Sequence, residues 1–198
     1  YPSERLGCHI GAGLIAAETE ELTSAFTTSV EQDGVFSLKK WGTSDGGGGG
    51  MNNLQPLWML KYLPNMLACH VTIIHGAEGP SNTLTCAEAS GLLSIVESAR
   101  TIERGAADAC FSGGAESKIS LMGLLRLHFA GRVGASGDGV DGSICRPYDQ
   151  GSVGVAGEGG GILILEAEER AVARNARILA RIAGFGAGQS PPPMIPPL

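Results

Sequence analysis

A glutamate and a cysteine lie close together in a segment that is typical of a strand, a sharp turn and the start of a helix. The segment runs from Gly79 to Gly91, and within it Cys86 and Glu88 are two residues apart. A side chain at such a turn is exposed at the positive end of a helix, which suits a nucleophile or an oxyanion. We expect Glu88 to be the turn residue, so that a carboxylate and not a thiol occupies this position.

The residues that follow the turn predict a helix and then a buried strand. Apolar side chains three and four apart indicate a helix over residues 89–104, with Gly105 as the residue that ends it. Residues 109–112 predict a buried strand that ends at the pair Gly113 and Gly114. A strand, a helix and a second strand in this order indicate a sheet that is at least partly parallel.

The hydrophobicity pattern predicts further elements along the chain. We expect strands over 5–10, 162–165 and 178–182, and helices over 14–24, directly after Pro64, over 121–130 and over 166–175. Residues 42–52 are rich in glycine and predict a flexible loop. Residues 191–198 are rich in proline, which excludes a helix or a central strand. We therefore expect one domain over 1–190, followed by a tail over 191–198.

Composition and charge exclude several classes of protein. The chain has 198 residues, of which 43% are hydrophobic and 17% charged, and its net charge of −6 leaves no basic face for nucleic acid. No apolar run approaches the roughly 18 residues that indicate a membrane span. The five cysteines are scattered without metal-ligand spacing, as in reduced intracellular proteins. We expect a cytoplasmic protein that binds neither nucleic acid nor membrane.

Five motifs follow one another between residue 5 and about residue 186. They are Leu-Pro-Asn-Met-Leu-Ala-Cys-His-Val at 63–71, Gly-Pro-Ser-Asn-Thr at 79–83 with Ala-Ser-Gly at 89–91, Arg-Gly-Ala-Ala-Asp-Ala-Cys-Phe-Ser-Gly-Gly-Ala-Glu at 104–116, Arg-Pro-Tyr-Asp at 146–149, and Gly-Glu-Gly at 157–159 with Ile-Leu-Ile-Leu-Glu at 162–166. Because it carries these motifs in this order, the chain resembles the β-ketoacyl-[acyl-carrier-protein] synthases of the thiolase-like fold. The resemblance implies an α/β, layered α-β-α fold, a mixed sheet flanked by helices, that is partial and incomplete at both ends.

The resemblance gives position 88 a specific meaning. Family synthases place a cysteine in an elbow of the type Thr-Ala-Cys-Ala-Ser-Gly, and residues 86–91 here read Cys-Ala-Glu-Ala-Ser-Gly. Alignment without a gap puts Glu88 at the nucleophile position. Cys86 falls two residues before that position and is the less favoured alternative nucleophile. The plainer interpretation of Cys86 is a small buried residue. Glu88 also keeps a plainer interpretation, as a carboxylate that caps free N–H groups at the helix start.

The activity that the resemblance implies is acyl transfer with decarboxylative condensation, in fatty-acid or polyketide biosynthesis. A glutamate cannot carry a transferable acyl thioester, so we expect little or no condensing activity. The resemblance places the family's catalytic histidines and lysine in motifs of the type His-Gly-Thr-Gly-Thr and Asn-x-x-Phe-Gly, and neither motif occurs in this sequence. The histidines of this sequence lie outside such motifs; they are His9, His70, His75 and His128. Two roles stay open, a chain-length-factor-like partner subunit and a malonyl decarboxylase.

The resemblance also implies binding partners. These are acyl carrier protein and acyl thioesters, and either a second copy of the chain or an active synthase in a heterodimer. No cofactor and no metal is implied. Lys39 and Lys40 form a basic pair near the place where the family meets its acidic carrier protein. A solvated face is the plainer interpretation of the two lysines.

A dinucleotide-binding α/β domain is the alternative from another class. Gly11-Ala12-Gly13 follows the first predicted strand and fits the pattern Gly-x-Gly-x-x-Ala. Glu31 or Asp33 lies at about the 20-residue distance from which an acid would hold the ribose. A domain with no ligand at all forms a third class.

Overall fold

A computed structural model of the chain describes residues 1–42, 48–134, 145–150, 152 and 154–189. Residues 43–47 of the predicted glycine-rich loop and the predicted proline-rich tail lie outside the described residues. The described part contains four strands, which are β1 Leu6–Gly11, β2 Ser81–Leu84, β3 Ala109–Ser117 and β4 Glu158–Glu166. Its α-helices are α1 Thr19–Thr27, α2 Leu38–Gly42, α3 Met66–His75, α4 Ser90–Glu103, α5 Leu121–Phe129 and α6 Glu168–Ala173.

The strands form one mixed sheet in the order β2-β1-β3-β4. Strand β1 is parallel to both β2 and β3, whereas β3 and β4 are antiparallel. Helix α4 connects β2 to β3 and therefore passes over β1, which lies between them. The predicted strand–helix–strand unit and the predicted mixed sheet are both confirmed.

The two faces of the sheet have different chemistry. On one face, Cys8 and Ile10 of β1 pack with Ala68 of α3 in an apolar cluster. On the other face, the alternate residue His9 contacts Thr101 of α4. Because side chains alternate along a strand, β1 is covered by α3 on one side and by α4 on the other. This gives the predicted layers of helix, sheet and helix.

Several predicted boundaries and one predicted strand are wrong. Strand β3 does not stop at Gly113 but continues to Ser117. A Cβ on Gly113 would come within 2.0 Å of the Gly161 carbonyl oxygen, so this glycine permits a close approach of β4 and does not form a turn. Helix α1 begins at Thr19 and not at residue 14, and residues 178–182 form no strand. None of the described strands pairs with residues 178–182, and an unpaired strand is not stable.

No helix among the described residues combines the length and the apolar character that a membrane span requires.

Candidate active site

The bend between β2 and α4 is closed by hydrogen bonds over residues 86–90. The Ala89 N–H donates to the Cys86 carbonyl oxygen over 3.2 Å. Ser90 Oγ accepts from the Cys86 N–H at 2.8 Å and donates to the Ala87 carbonyl oxygen at 2.6 Å. These bonds hold Ala87 in a left-handed conformation with φ of 50°, which costs roughly 1–3 kcal/mol in a residue other than glycine. Glu88 follows as the second central residue of the bend.

Glycines bring the start of α4 into direct contact with the sheet. A Cβ on Gly11 of β1 would lie 2.3 Å from the Ser90 carbonyl carbon, and one on Gly114 of β3 would lie 3.2 Å from the Gly91 Cα. One turn further along, Ser94 Oγ accepts from the Gly113 N–H at 3.1 Å. The backbone at the bend is therefore fixed by β1 and β3 together.

Glu88 and Cys86 are both exposed at this bend. The Glu88 side chain is 73% exposed and forms an ion pair with Arg132, which lies just after α5. Cys86 is a free, exposed thiol, so the expectation of a buried Cys86 is wrong. Cys86 lies in the exposed bend and not in the core. The two side chains are separated by Ala87 and by the change of direction that its conformation produces.

The predicted basic pair lies on helix α2. Lys40 forms an ion pair with Glu31 at 2.7 Å and donates a hydrogen bond to the Val30 carbonyl oxygen at 3.2 Å. The hydrogen bond from the Lys40 ammonium group to the Glu31 carboxylate lowers the pKa of that carboxyl. Lys40 is thus tied to its own part of the chain, and Lys39 precedes it on the same helix.

The structure does not fit the dinucleotide-binding alternative. No helix begins directly after Gly13, since α1 starts at Thr19. Gly11 is instead occupied by its contact with α4, and a Cβ on Gly13 would meet the Glu116 carboxylate at 2.0 Å. A pyrophosphate needs a helix N-terminus and no neighbouring anion at this place. Of the two acids predicted to hold the ribose, Glu31 and Asp33, the first is paired with Lys40.

Two contacts of this region follow from no local pattern in the sequence. Arg132 is 44 positions from its partner Glu88, outside any local pattern. His9 is 2% exposed and lies against Thr101 of α4, 92 positions away. The crossing of α4 over β1 brings Thr101 and His9 together, whereas Arg132 reaches Glu88 from the end of α5. A buried imidazole at an alternating position of a strand was the one available hint.

Comparisons with known proteins agree with this topology. The sequence model of the family described as "Beta-ketoacyl synthase, N-terminal domain" matches residues 11–171. The 3-oxoacyl-[acyl-carrier-protein] synthase 2 of Staphylococcus aureus is 33% identical over 185 residues, which are 93% of this chain and 41% of the relative. The synthase of the same name from Vibrio cholerae is 35% identical over 138 residues, 69% of this chain and 33% of the relative. The chain thus spans about two fifths of the length of these relatives, or less.

Solved structures show the same fold. A β-ketoacyl synthase from Burkholderia phymatum matches with a TM-score of 0.64 and 24% identity, over 87% of this chain and 38% of that one. The ishigamide ketosynthase/chain length factor matches with a TM-score of 0.54 and 20% identity, over 84% of this chain and 37% of that one. A type II polyketide ketosynthase in complex with its acyl-carrier protein matches with a TM-score of 0.62 and 18% identity, over 89% of this chain and 43% of that one. With the layered fold and the family match, the chain belongs to the β-ketoacyl synthase family.

Proposed function

We propose that this chain is a non-condensing β-ketoacyl synthase homologue that acts beside an active synthase in fatty-acid or polyketide synthesis. The observation that carries the proposal is Glu88 in the bend before α4, where family synthases carry their cysteine. A thiolate at such a bend takes up an acyl group as a thioester and passes it on. A carboxylate has no sulfur with which to form that intermediate. The chain would therefore lack the acyl-transfer step.

The surroundings of Glu88 favour a permanent anion at this position. The start of α4 attracts negative charge, and the Arg132 guanidinium forms an ion pair with the carboxylate. Both side chains are more than half exposed, so the pair contributes little to stability. The proposed role of the ion pair is to hold the Glu88 carboxylate in a fixed orientation at the bend.

A chain-length-factor-like partner subunit is the role that we favour. Such a subunit would shape the acyl pocket of its partner without reacting itself. Large apolar side chains on the surface are consistent with an interface, among them Phe129 at 83% and Ile164 at 67% exposed. We propose a dimer, either with a second copy or with the active synthase, and acyl carrier protein as a partner that contacts Lys39 and Lys40. The cytoplasmic location stays a prediction.

Mixing the chain with an active β-ketoacyl synthase tests the partner role. Native mass spectrometry should detect a heterodimer, and the products of the mixture should differ in acyl length from those of the synthase alone. The variant Glu88→Ala should form the same heterodimer, because the proposed interface does not depend on the carboxylate. Release of a β-ketoacyl product by the isolated chain would contradict the proposal.

Malonyl decarboxylation is a second candidate, favoured by one observation. Arg132 places a guanidinium at the bend, and guanidinium groups bind carboxylates such as that of a malonyl group. Among the described residues, no hydrogen bond or ion pair joins a histidine to Glu88, so a histidine-assisted mechanism is not supported. Release of CO₂ from a malonyl thioester by the native chain, and its loss in Arg132→Gln, would favour this candidate over the partner subunit.

A further inference from the structure

The outer edge of β4 has no partner strand in the part of the chain that the structure describes. Strand β4 lies at the end of the sheet and pairs through one edge only, with β3. It is nine residues long, and most of its residues are exposed. An exposed strand edge presents a row of unpaired N–H and C=O groups, which can accept a further strand.

The sequence of β4 is that of a strand covered on both faces. Residues 162–165 read Ile-Leu-Ile-Leu, and successive side chains point to opposite faces of a sheet. A continuous apolar run of this kind is typical of strands that are buried on both sides. Here Leu163 on one face is 52% exposed, and Ile164 on the other face is 67% exposed. The side chains of β4 therefore fit the interior of a larger sheet better than its edge.

Residues 178–186, the 178–186 segment, are a second apolar part of the chain without a partner strand. The sequence predicts a strand over 178–182, but the structure leaves the whole segment without regular structure and exposed. Its Leu179 side chain is 79% exposed. The chain thus contains both a strand edge that lacks a partner and a strand-forming segment that lacks a sheet.

Contacts hold the 178–186 segment beside the end of its own β4 without pairing it to that strand. Arg181 forms an ion pair at 2.6 Å with Glu168, the first residue of α6, which follows β4 directly. Further along, the Arg100 guanidinium of α4 lies 4.8 Å from the centre of the Phe185 ring. The segment and β4 therefore lie on the same side of the molecule, as a reciprocal exchange between two copies requires.

The charges of the two elements are complementary. The charged residues of β4 are both acidic, Glu158 and Glu166, whereas those of residues 177–186 are both basic, Arg177 and Arg181. Pairing β4 with another β4, or the segment with another segment, brings like charges together, and like charges on paired strands are destabilising. Pairing β4 with the 178–186 segment brings opposite charges together.

We propose that β4 of one chain pairs with the 178–186 segment of a second copy, and that the second copy's β4 pairs with the segment of the first. The pairing is antiparallel, with Leu179 opposite Ile164, the most exposed apolar residues of the two elements. An antiparallel pair needs no crossover connection and is slightly more stable per residue than a parallel pair. In this register Arg177 lies opposite Glu166.

Reciprocal exchange makes this interface two-fold symmetric and closes it at the dimer. The inference rests on the dimer proposed above, for which it names the second copy as the partner and β4 as the surface. It does not depend on Glu88 or on an active synthase. The isolated chain therefore tests it, and its failure leaves the heterodimer with an active synthase to be judged by its own experiment.

Sedimentation equilibrium of the full chain tests the dimer. The native chain should be dimeric, and Leu179→Asp should weaken association about tenfold or more, because the pairing would bury an unpaired carboxylate among apolar side chains. Circular dichroism should be unchanged, since Leu179 lies outside the helices and strands. Leu38→Asp is the matched control, because Leu38 is 75% exposed at the start of α2 and should leave association unchanged. A native monomer, or a dimer that Leu179→Asp leaves intact, would overturn the inference.

Disulfide trapping tests the register. Two chains are co-expressed, one with Ile164→Cys and one with Leu179→Cys, both carrying Cys86→Ser and Cys145→Ser to remove the exposed thiols. Opposite residues of paired strands have Cα atoms about 4.5–5.5 Å apart, which a disulfide can span. Oxidation should join 164 of one chain to 179 of the other, identified by peptide mass spectrometry. Val172→Cys, on the exposed side of α6, replaces Leu179→Cys in the control and should give no such bond. Absence of the bond between 164 and 179, or its formation within one chain of the double variant, would contradict the exchange.

Discussion

Gly11 lies directly beneath Ser90, so close that a single added Cβ would be 2.3 Å from the Ser90 carbonyl carbon. The contact joins the end of β1 to the first residue of α4. Gly11→Ala must push the helix start away from the sheet, and we expect a loss of roughly 1–3 kcal/mol in the free energy of unfolding. Urea unfolding followed by circular dichroism measures it. Gly159→Ala in β4 is the matched control, because nothing lies within 4 Å of its added Cβ.

His9 should make the fold sensitive to mild acid. Burial lowers the pKa of His9 below its ordinary 6.5, while Glu97 opposes this shift and Arg104 adds to it. The unfolded chain therefore binds a proton that the folded chain does not. Stability is complete above pH 6.5 and falls as the pH drops through 6.5 toward the lower folded pKa, with a slope of at most about 1.4 kcal/mol per pH unit.

Urea midpoints between pH 8 and pH 5 test this dependence. The variant His9→Gln keeps a polar side chain beside Thr101 but does not titrate, so its midpoint should stay level over the same range. Cys110 is also buried, and burial raises its pKa, so this thiol remains neutral throughout. An equal pH dependence in the native chain and in His9→Gln would show that another group is responsible.

Asp108 should govern stability at lower pH. This carboxylate is 7% exposed and forms ion pairs with Arg5 at 2.6 Å and Arg170 at 3.2 Å. The hydrogen bond from Arg5 lowers the Asp108 pKa below 3.8, so its contribution is present above pH 3.8 and is lost as the pH falls through the folded value. Asp108→Asn should lower the thermal midpoint at pH 7 and weaken the loss of stability in acid.

The control for Asp108 is an exposed pair of the same type. Glu168 binds Arg181 at 2.6 Å, but both side chains are half exposed or more. Glu168→Gln should change the midpoint little, because solvent screens such a pair. If the two substitutions had equal effects at pH 7, burial would not be what distinguishes Asp108.

Four of the five cysteines should react with a thiol reagent in a fixed order. Cys86 and Cys145 are exposed, whereas Cys8 and Cys110 are buried. Burial raises the Cys8 pKa to about 11, so that little thiolate is present at pH 8 even when a reagent reaches it. Timed alkylation with iodoacetamide and peptide mass spectrometry should find Cys86 and Cys145 modified first, and Cys8 and Cys110 only in urea. Early labelling of Cys8 would contradict the packing of β1 against α3.

The elements around the site were predictable because their signals are local. Periodic apolar residues and Gly105 define α4 within one residue at each end, and Pro64 marks the start of α3. The resemblance identified the bend through residues 79–91. The glycines of β3 were misread as a strand end, since a glycine that admits a neighbouring strand looks the same in the sequence as one that forms a turn.

The contacts within the site were not predictable in this way. The exposure of Cys86 depends on the conformation of Ala87, which Ser90 stabilises from the first turn of α4. The burial of His9 depends on Thr101, and the ion pair of Glu88 depends on Arg132 after α5. Each contact joins residues through the packing of α4 or through the bend, and no spacing rule describes it.

Acyl loading tests the central claim that Glu88, and not Cys86, occupies the nucleophile position. The native chain, Cys86→Ser and Glu88→Cys are incubated with an activated acyl donor, and the modified residues are identified by peptide mass spectrometry. We predict that Cys86 of the native chain gains no more acyl group than the exposed Cys145, and that Glu88→Cys is acylated at position 88. Stable acylation of Cys86 above the level of Cys145, absent from Cys86→Ser, would contradict the account.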